Sequence, residues 1–100
     1  MSYSYEFHDL VSVDYEEAYI HYELIQKDLG ERFAASVRQR MDKIAKNPEN
    51  YGQKTRKGCR EVKVDGFPYV IVYRIYKQKK MIFVNSIHHT RKHPGKKFRK

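Results

Sequence analysis

Alternating apolar and polar positions open the chain. Aromatic side chains at every second position from Tyr3 to Phe7 predict a short strand over residues 3–8. From Ser12, whose side chain suits a helix N-cap, apolar residues recur at spacings of three and four. This pattern predicts an amphipathic helix of about four turns that ends at Gly30, a residue type common at helix C-termini.

A second helical pattern follows directly. Apolar residues step by three and four along one face over residues 33–45. Pro48 ends this helix, because the residue before a proline is pushed out of helical geometry. Two helices joined this closely form a hairpin. Residues 49–58 are polar and predict a loop.

The remaining ordered part of the chain has strand patterns. Residues 60–64 alternate, and Asp65-Gly66 is a strong turn signal. Residues 69–76 are nearly all apolar and β-prone, which is typical of a central strand buried on both faces. Residues 81–88 form another apolar run after a polar turn. Three strands joined by short turns predict an antiparallel meander.

The predicted order is β-α-α-β-β-β, an α+β fold in one domain that spans residues 1–100. The helices must bury their apolar faces, and the sheet is the available surface. We therefore expect the helical hairpin on one face of an antiparallel sheet, with residues 69–76 as its central strand. The opposite face and a basic tail, which begins at about residue 90, should carry the basic residues.

Charge separates the two halves of the chain. Residues 1–48 hold nine acids and six Lys/Arg, whereas residues 49–100 hold three acids and fifteen Lys/Arg. This asymmetry favours an anionic partner for the second half, either RNA, DNA or an acidic protein, over a basic surface that merely keeps the protein soluble. A single cysteine, Cys59, excludes an internal disulfide and suits a reducing cytoplasm. We expect no signal peptide, membrane span, metal site or cofactor.

Several stretches together resemble the RelE/ParE superfamily of toxins from type II toxin–antitoxin systems. The Phe-Pro-Tyr-x-x-x-Tyr-Arg strand is the most specific piece, and the match runs through nearly the whole chain in the right order. The stretches are LGERF at 29–33, IAKNP at 44–48, Arg60, FPYVIVYR at 67–74 and IHHTRKHP at 87–94.

The resemblance implies a toxin that a co-expressed antitoxin neutralises, and it leaves the activity open. ParE-like members, which include plasmid stabilisation proteins, inhibit DNA gyrase and have no nuclease chemistry. RelE-like members cut mRNA on the ribosome. A third hypothesis is a domain that has lost toxicity and only binds its partner. Under each hypothesis the chain and its antitoxin could assemble as a hetero-oligomer.

RelE-like members usually have an arginine at the start of the central strand and often a tyrosine in the tail. Here the strand opens with Phe67-Pro68-Tyr69, and the tail offers Phe98, which has no hydroxyl. This departure favours the ParE-like hypothesis, a gyrase inhibitor that is not an enzyme. If the protein is instead an endoribonuclease, the cations and acid/base groups at its site would be Arg60, Arg74, His88, His89 and Arg91.

His88 and His89 are adjacent strand residues, so their side chains should point to opposite faces, and at most one can lie on a given catalytic face. The tail cations have the clearest electrostatic role, in binding the target or a nucleic acid. They are Arg91, Lys92, Lys96, Lys97, Arg99 and Lys100. An acidic antitoxin should dock on the helical hairpin and on an exposed sheet edge, with an affinity that falls as ionic strength rises.

Overall fold

The structure is a computed structural model that describes residues 2–54 and 58–91, with the backbone alone at Gln53. Its two helices pack on one face of a sheet, which confirms the α+β fold expected from the sequence. The elements are, in chain order, β1 (Ser4–Phe7), α1 (Val11–Ile25), α2 (Leu29–Lys46), β2 (Gln53–Lys54), β3 (Arg60–Lys63), β4 (Tyr69–Tyr76) and β5 (Met81–His89).

The strands of the described residues lie in the order β1-β5-β4-β3-β2. β4 is central and covers Tyr69–Tyr76, as its apolar sequence predicts. Neighbours from β2 to β5 are antiparallel, whereas β1 runs parallel to β5. The sheet is therefore mixed: the antiparallel meander is present, and its last strand, β5, lies beside β1, which precedes both helices in the chain.

The core lies between the helical hairpin and the sheet. Phe33 and Ile44 of α2, together with Tyr22 of α1, pack against sheet residues that include Ile71 and Tyr73 of β4. These five side chains are all at most 8% exposed. On the other side of β4, Val70 and Val72 form a smaller buried cluster with Cys59. Lys63 and Arg74 lie on that side, but its centre is apolar rather than basic.

Two helix boundaries differ from the prediction. α1 begins at Val11, so Ser12 lies inside the helix, and Leu10 stands at the cap without a side-chain hydrogen bond. α1 ends at Ile25, and Gly30 is the second residue of α2. A Cβ at Gly30 would lie 2.8 Å from the backbone oxygen of Tyr19. Glycine is present here because the two helices approach closely, rather than because α1 ends there.

The predicted loop after α2 contains the short strand β2. Tyr73 holds this loop to the sheet, since its hydroxyl lies 2.7 Å from the carbonyl oxygens of both Pro48 and Tyr51. Gly52 has a φ of 79°, and a Cβ there would lie 2.8 Å from the carbonyl oxygen of Glu61. A glycine allows the loop to turn and pass this close to β3.

Among the described residues, neither α1 nor α2 is long and apolar enough to cross a membrane.

Candidate functional site

The two candidate residues Arg74 and His88 lie on the sheet face away from the helices. His88 is opposite Val70 in the β4–β5 pairing, and Arg74 is opposite Phe83. Along β4 they are therefore separated by four residues, or about 13 Å. His88 is only 2% exposed, so its imidazole does not present a surface to a substrate.

Both residues have local hydrogen-bond partners. The Nδ1 atom of His88 lies 3.1 Å from the Oγ atom of Ser86 in a buried pair. The Arg74 guanidinium donates to the Cys59 Sγ atom at 3.6 Å. This hydrogen bond and the charge of the sulfur raise the pKa of Arg74 above its ordinary value. These contacts give both side chains a structural role.

Arg60 and His89 lie on the opposite face, toward the helices. Arg60 pairs with Tyr73, and His89 pairs with Tyr69, again four residues apart along β4. The Arg60 Nη1 atom contacts the Tyr51 carbonyl oxygen at 3.5 Å. The His89 ring packs edge-on against Tyr69, with ring centroids 5.4 Å apart. His88 and His89 thus point to opposite faces, as alternation along a strand requires.

Arg91 follows β5 in an exposed turn, and its backbone N–H donates to the Nδ1 atom of His89 at 3.1 Å. Of the five candidates for nuclease chemistry, the fold brings this pair together and separates the others over two faces. The remaining tail residues singled out from the sequence lie outside the described residues. They are Lys92, Lys96, Lys97, Arg99 and Lys100.

A groove of about 570 Å³ opens between β1, the start of α1 and the middle of α2. Its lining is mainly apolar, with polar groups from a few side chains such as His8, Arg38 and Asp42. Phe7, at its β1 side, is 48% exposed although it is a large aromatic residue. The groove is lined by Tyr5, Phe7, His8, Val11, Ser12, Tyr15, Ala34, Val37, Arg38, Met41, Asp42 and Ile87.

The groove runs beside an edge strand. β1 lies at the end of the strand order; the Ser4 N–H donates to the carbonyl oxygen of Lys80, just before β5, and the His8 N–H donates to that of Val84 in β5. By alternation, the backbone groups of Tyr5 and Phe7 face outward. The Tyr5 hydroxyl donates to the Met41 carbonyl oxygen at 2.6 Å and fixes β1 against α2. An apolar groove thus adjoins backbone groups that could pair with an added strand.

The sequence pattern did not single out Asp14, which anchors α1 to β5. Its side chain is 3% exposed, and its Oδ2 atom accepts a hydrogen bond from the backbone N–H of Ile87 at 3.3 Å. Its position one turn before Ala18 and two before Tyr22 places it on the buried face of α1, which is the signal that could have identified it. The groove residues Phe7 and Arg38 carried no comparable signal, because the groove exists only once β1 and α2 meet.

Within 2–54 and 58–91, no three His, Cys, Asp or Glu side chains are grouped so that they could hold a metal ion.

Comparison with known proteins identifies the family. Residues 5–94 match the family model described as the ParE toxin of the type II toxin–antitoxin system parDE. This chain belongs to the ParE toxin family. The match covers most of the chain and, among the described residues, includes both helices and nearly all of the sheet. No functionally curated protein matches the sequence.

Solved structures with the same fold include both branches of the superfamily. A chain of the chromosomal ParDE system from P. aeruginosa aligns with a TM-score of 0.75 at 15% identity, covering 88% of this chain and 96% of that one. A chain of the RelBE2 toxin–antitoxin complex from Mycobacterium tuberculosis gives 0.65 at 16% identity, covering 89% and 99%. The isolated RelE toxin of E. coli gives 0.64 at 15% identity, covering 91% and 87%. These likenesses establish the fold that the ParE family member shares with RelE toxins.

Proposed function

We propose that this ParE family member is a non-enzymatic toxin that inhibits DNA gyrase in the cytoplasm, and that a cognate antitoxin neutralises it. The observation that carries the choice of inhibitor over nuclease is the dispersal of the five candidate catalytic side chains. They divide between two faces of the sheet and a turn.

RNA cleavage requires a proton acceptor, a proton donor and cations that converge on one phosphate. His88 is buried, and Arg74, on its face, is about 13 Å away along the strand. On the other face His89 and Arg60 are similarly separated. His89 and Arg91 remain, joined through the Arg91 backbone N–H, and one imidazole and one arginine supply fewer groups than this chemistry needs. The start of β4, with no arginine, supports the same choice.

The groove beside β1 supports the antitoxin partner. A peptide segment that adds a strand to the β1 edge would place alternate side chains into the apolar groove. Arg38 and Asp42 carry opposite charges at the groove, so its apolar side chains would provide most of the affinity for the added segment. Solved relatives of the same fold include toxin–antitoxin complexes, such as the intact RelBE complex of E. coli.

A supercoiling assay tests the proposed target. Purified full-length chain should block the introduction of supercoils into relaxed plasmid by gyrase, and addition of its antitoxin should restore the reaction. The same preparation should leave mRNA intact, both with ribosomes and without them. A matched sample denatured by heat controls for components of the buffer.

If the protein is instead an mRNA endoribonuclease, the same samples should cleave mRNA and leave supercoiling by gyrase unaffected. Cuts at specific sites by the wild-type chain would have to disappear when His88, His89 and Arg91 are all changed to alanine. Because His88 is buried, the variant's folding must be verified, and Arg91→Ala alone should then weaken cleavage without affecting the fold. That pattern, together with normal supercoiling, would overturn the proposal.

A further inference from the structure

Six exposed lysines gather at one end of the molecule, where the β4–β5 turn meets the end of α2. Hydrogen bonds hold these segments together: the Ser4 N–H donates to the Lys80 carbonyl oxygen at 3.0 Å, and the Tyr3 N–H donates to the Ala45 carbonyl oxygen at 2.9 Å. We call this surface the lysine end. It comprises Lys43, Lys46, Lys54, Lys77, Lys79 and Lys80.

The positive charge of the lysine end is only slightly offset. Glu49 lies among the lysines and forms an ion pair with Lys77 at 2.9 Å. The hydrogen bond from Lys77, with further contributions from Arg60 and Lys54, lowers the pKa of Glu49. The single ion-paired carboxylate does not balance six lysines, so this surface keeps a positive charge that attracts polyanions.

The backbone at Lys80 indicates that this side chain has a role of its own. Lys80 has a φ of 50°, in the left-handed region that favours glycine and asparagine. Its backbone is already fixed, because its carbonyl oxygen accepts a hydrogen bond from Ser4 and its N–H donates to Lys77. A lysine at a position where glycine would be less strained is the kind of outlier that accumulates at functional sites.

Ordinary structural reasons account for part of the lysine end. Lysines at the last turn of a helix interact favourably with the helix dipole, which explains Lys43 and Lys46. A lysine on an edge strand discourages aggregation, which explains Lys54. Neither reason applies to the turn lysines Lys79 and Lys80, which belong to no helix and to no edge strand.

We propose that the lysine end binds the phosphate backbone of duplex DNA without reading its sequence. Ammonium groups act as point charges on phosphates and release the counterions of the duplex. Single-stranded nucleic acids are held instead by successive aromatic side chains. Among the described residues at this end, Tyr76 is the one exposed large aromatic.

This surface differs from the candidate residues near the tail. β5 runs from Met81 at the lysine end to His89 at the other, which separates the two regions by about 26 Å. The inference therefore does not depend on inhibition of gyrase, and it holds for the toxin whatever its target is.

The test compares two double variants of the full-length chain that remove the same charge. Lys79→Gln combined with Lys80→Asn alters the lysine end, while Lys27→Gln combined with Lys63→Gln alters exposed lysines elsewhere. Binding to a short mixed-sequence DNA duplex is measured by fluorescence anisotropy from about 50 to about 200 mM salt. The first variant should bind more weakly. The slope of the logarithm of its binding constant against the logarithm of the salt concentration should be shallower by about 2. The second should stay close to wild type.

Lys80→Asn alone separates the loss of charge from damage to the fold. Asparagine tolerates left-handed geometry, so the melting temperature should hold or rise while the affinity for duplex DNA falls. If both double variants lost the same affinity for duplex DNA, the overall charge of the protein alone would explain the binding, and the proposal would be overturned. Tighter binding to single-stranded RNA of the same length, or no duplex binding at low salt, would overturn it as well.

Discussion

Tyr73 joins the sheet to the loop after α2 through one hydroxyl group. Its side chain is fully buried, and the carbonyl oxygens of Pro48 and Tyr51 both lie within 2.7 Å of the hydroxyl oxygen. Tyr73→Phe removes the donor and leaves both acceptors without it, which should lower the free energy of unfolding by about 1–3 kcal/mol. Urea denaturation measures this loss, and Tyr76→Phe is the matched control, because the Tyr76 hydroxyl interacts with Arg74 at the exposed end of β4 and its removal should cost much less.

The same residue gives this stability difference a pH dependence. Burial raises the pKa of Tyr73 to about 12, whereas an unfolded tyrosine titrates near 10. The folded state thus retains its proton longer, so the stabilisation is complete below about pH 10 and is lost as the pH rises through about 12. The gap between wild type and Tyr73→Phe should narrow over that range. A gap that stays constant through pH 12 would contradict the role assigned to this hydroxyl.

At the scale of the elements, β1 and α2 create the proposed antitoxin groove. Phe7→Ser removes a half-exposed aromatic side chain from its rim, and burial of a phenylalanine contributes about 1.5–3 kcal/mol. The dissociation constant for the antitoxin should therefore rise by about tenfold or more. Calorimetric titration with the product of the neighbouring gene measures the change.

A residue on the outer side of α1 provides the matched control for this experiment. Leu24 is 83% exposed and does not line the groove, so Leu24→Ser removes a comparable apolar group elsewhere. It should leave the antitoxin affinity nearly unchanged. If Leu24→Ser weakened binding as much as Phe7→Ser, the antitoxin would dock on the outside of the hairpin instead.

At the scale of the whole molecule, charge should control how fast the antitoxin is captured. The second half of the chain holds fifteen Lys/Arg against three acids, and such a field accelerates the encounter with an acidic partner. Replacing the cations of residues 91–100 with alanine should lower the association rate more than it raises the dissociation rate. Stopped-flow measurements at low and high salt test this, and an association rate indifferent to both salt and the tail would contradict it.

The sequence by itself determined the two helices, the four longer strands and the difference in charge between the two halves of the chain. Apolar residues recur with a period of two in strands and of 3.6 in helices, because one face of each element is buried and the other meets water. Such a pattern is visible within a few neighbouring positions of the sequence. The central position of β4 could be predicted for the same reason, because eight consecutive β-prone residues with few polar groups require neighbours on both sides. The family resemblance added the toxin fold to this reading.

Only the tertiary structure decided which faces meet, and so which residues can act. Asp14 and Ile87 lie 73 positions apart in the chain, and Tyr5 and Met41 lie 36 apart, so no local pattern encodes their contacts. Pairing between distant strands likewise places His88 opposite Val70 and joins β1 to β5 in parallel. A groove, a dispersed set of cations and a cluster of lysines are properties of surfaces assembled from separate segments. Their positions follow from how the helices and strands pack together, which the periodicity of any one segment does not specify.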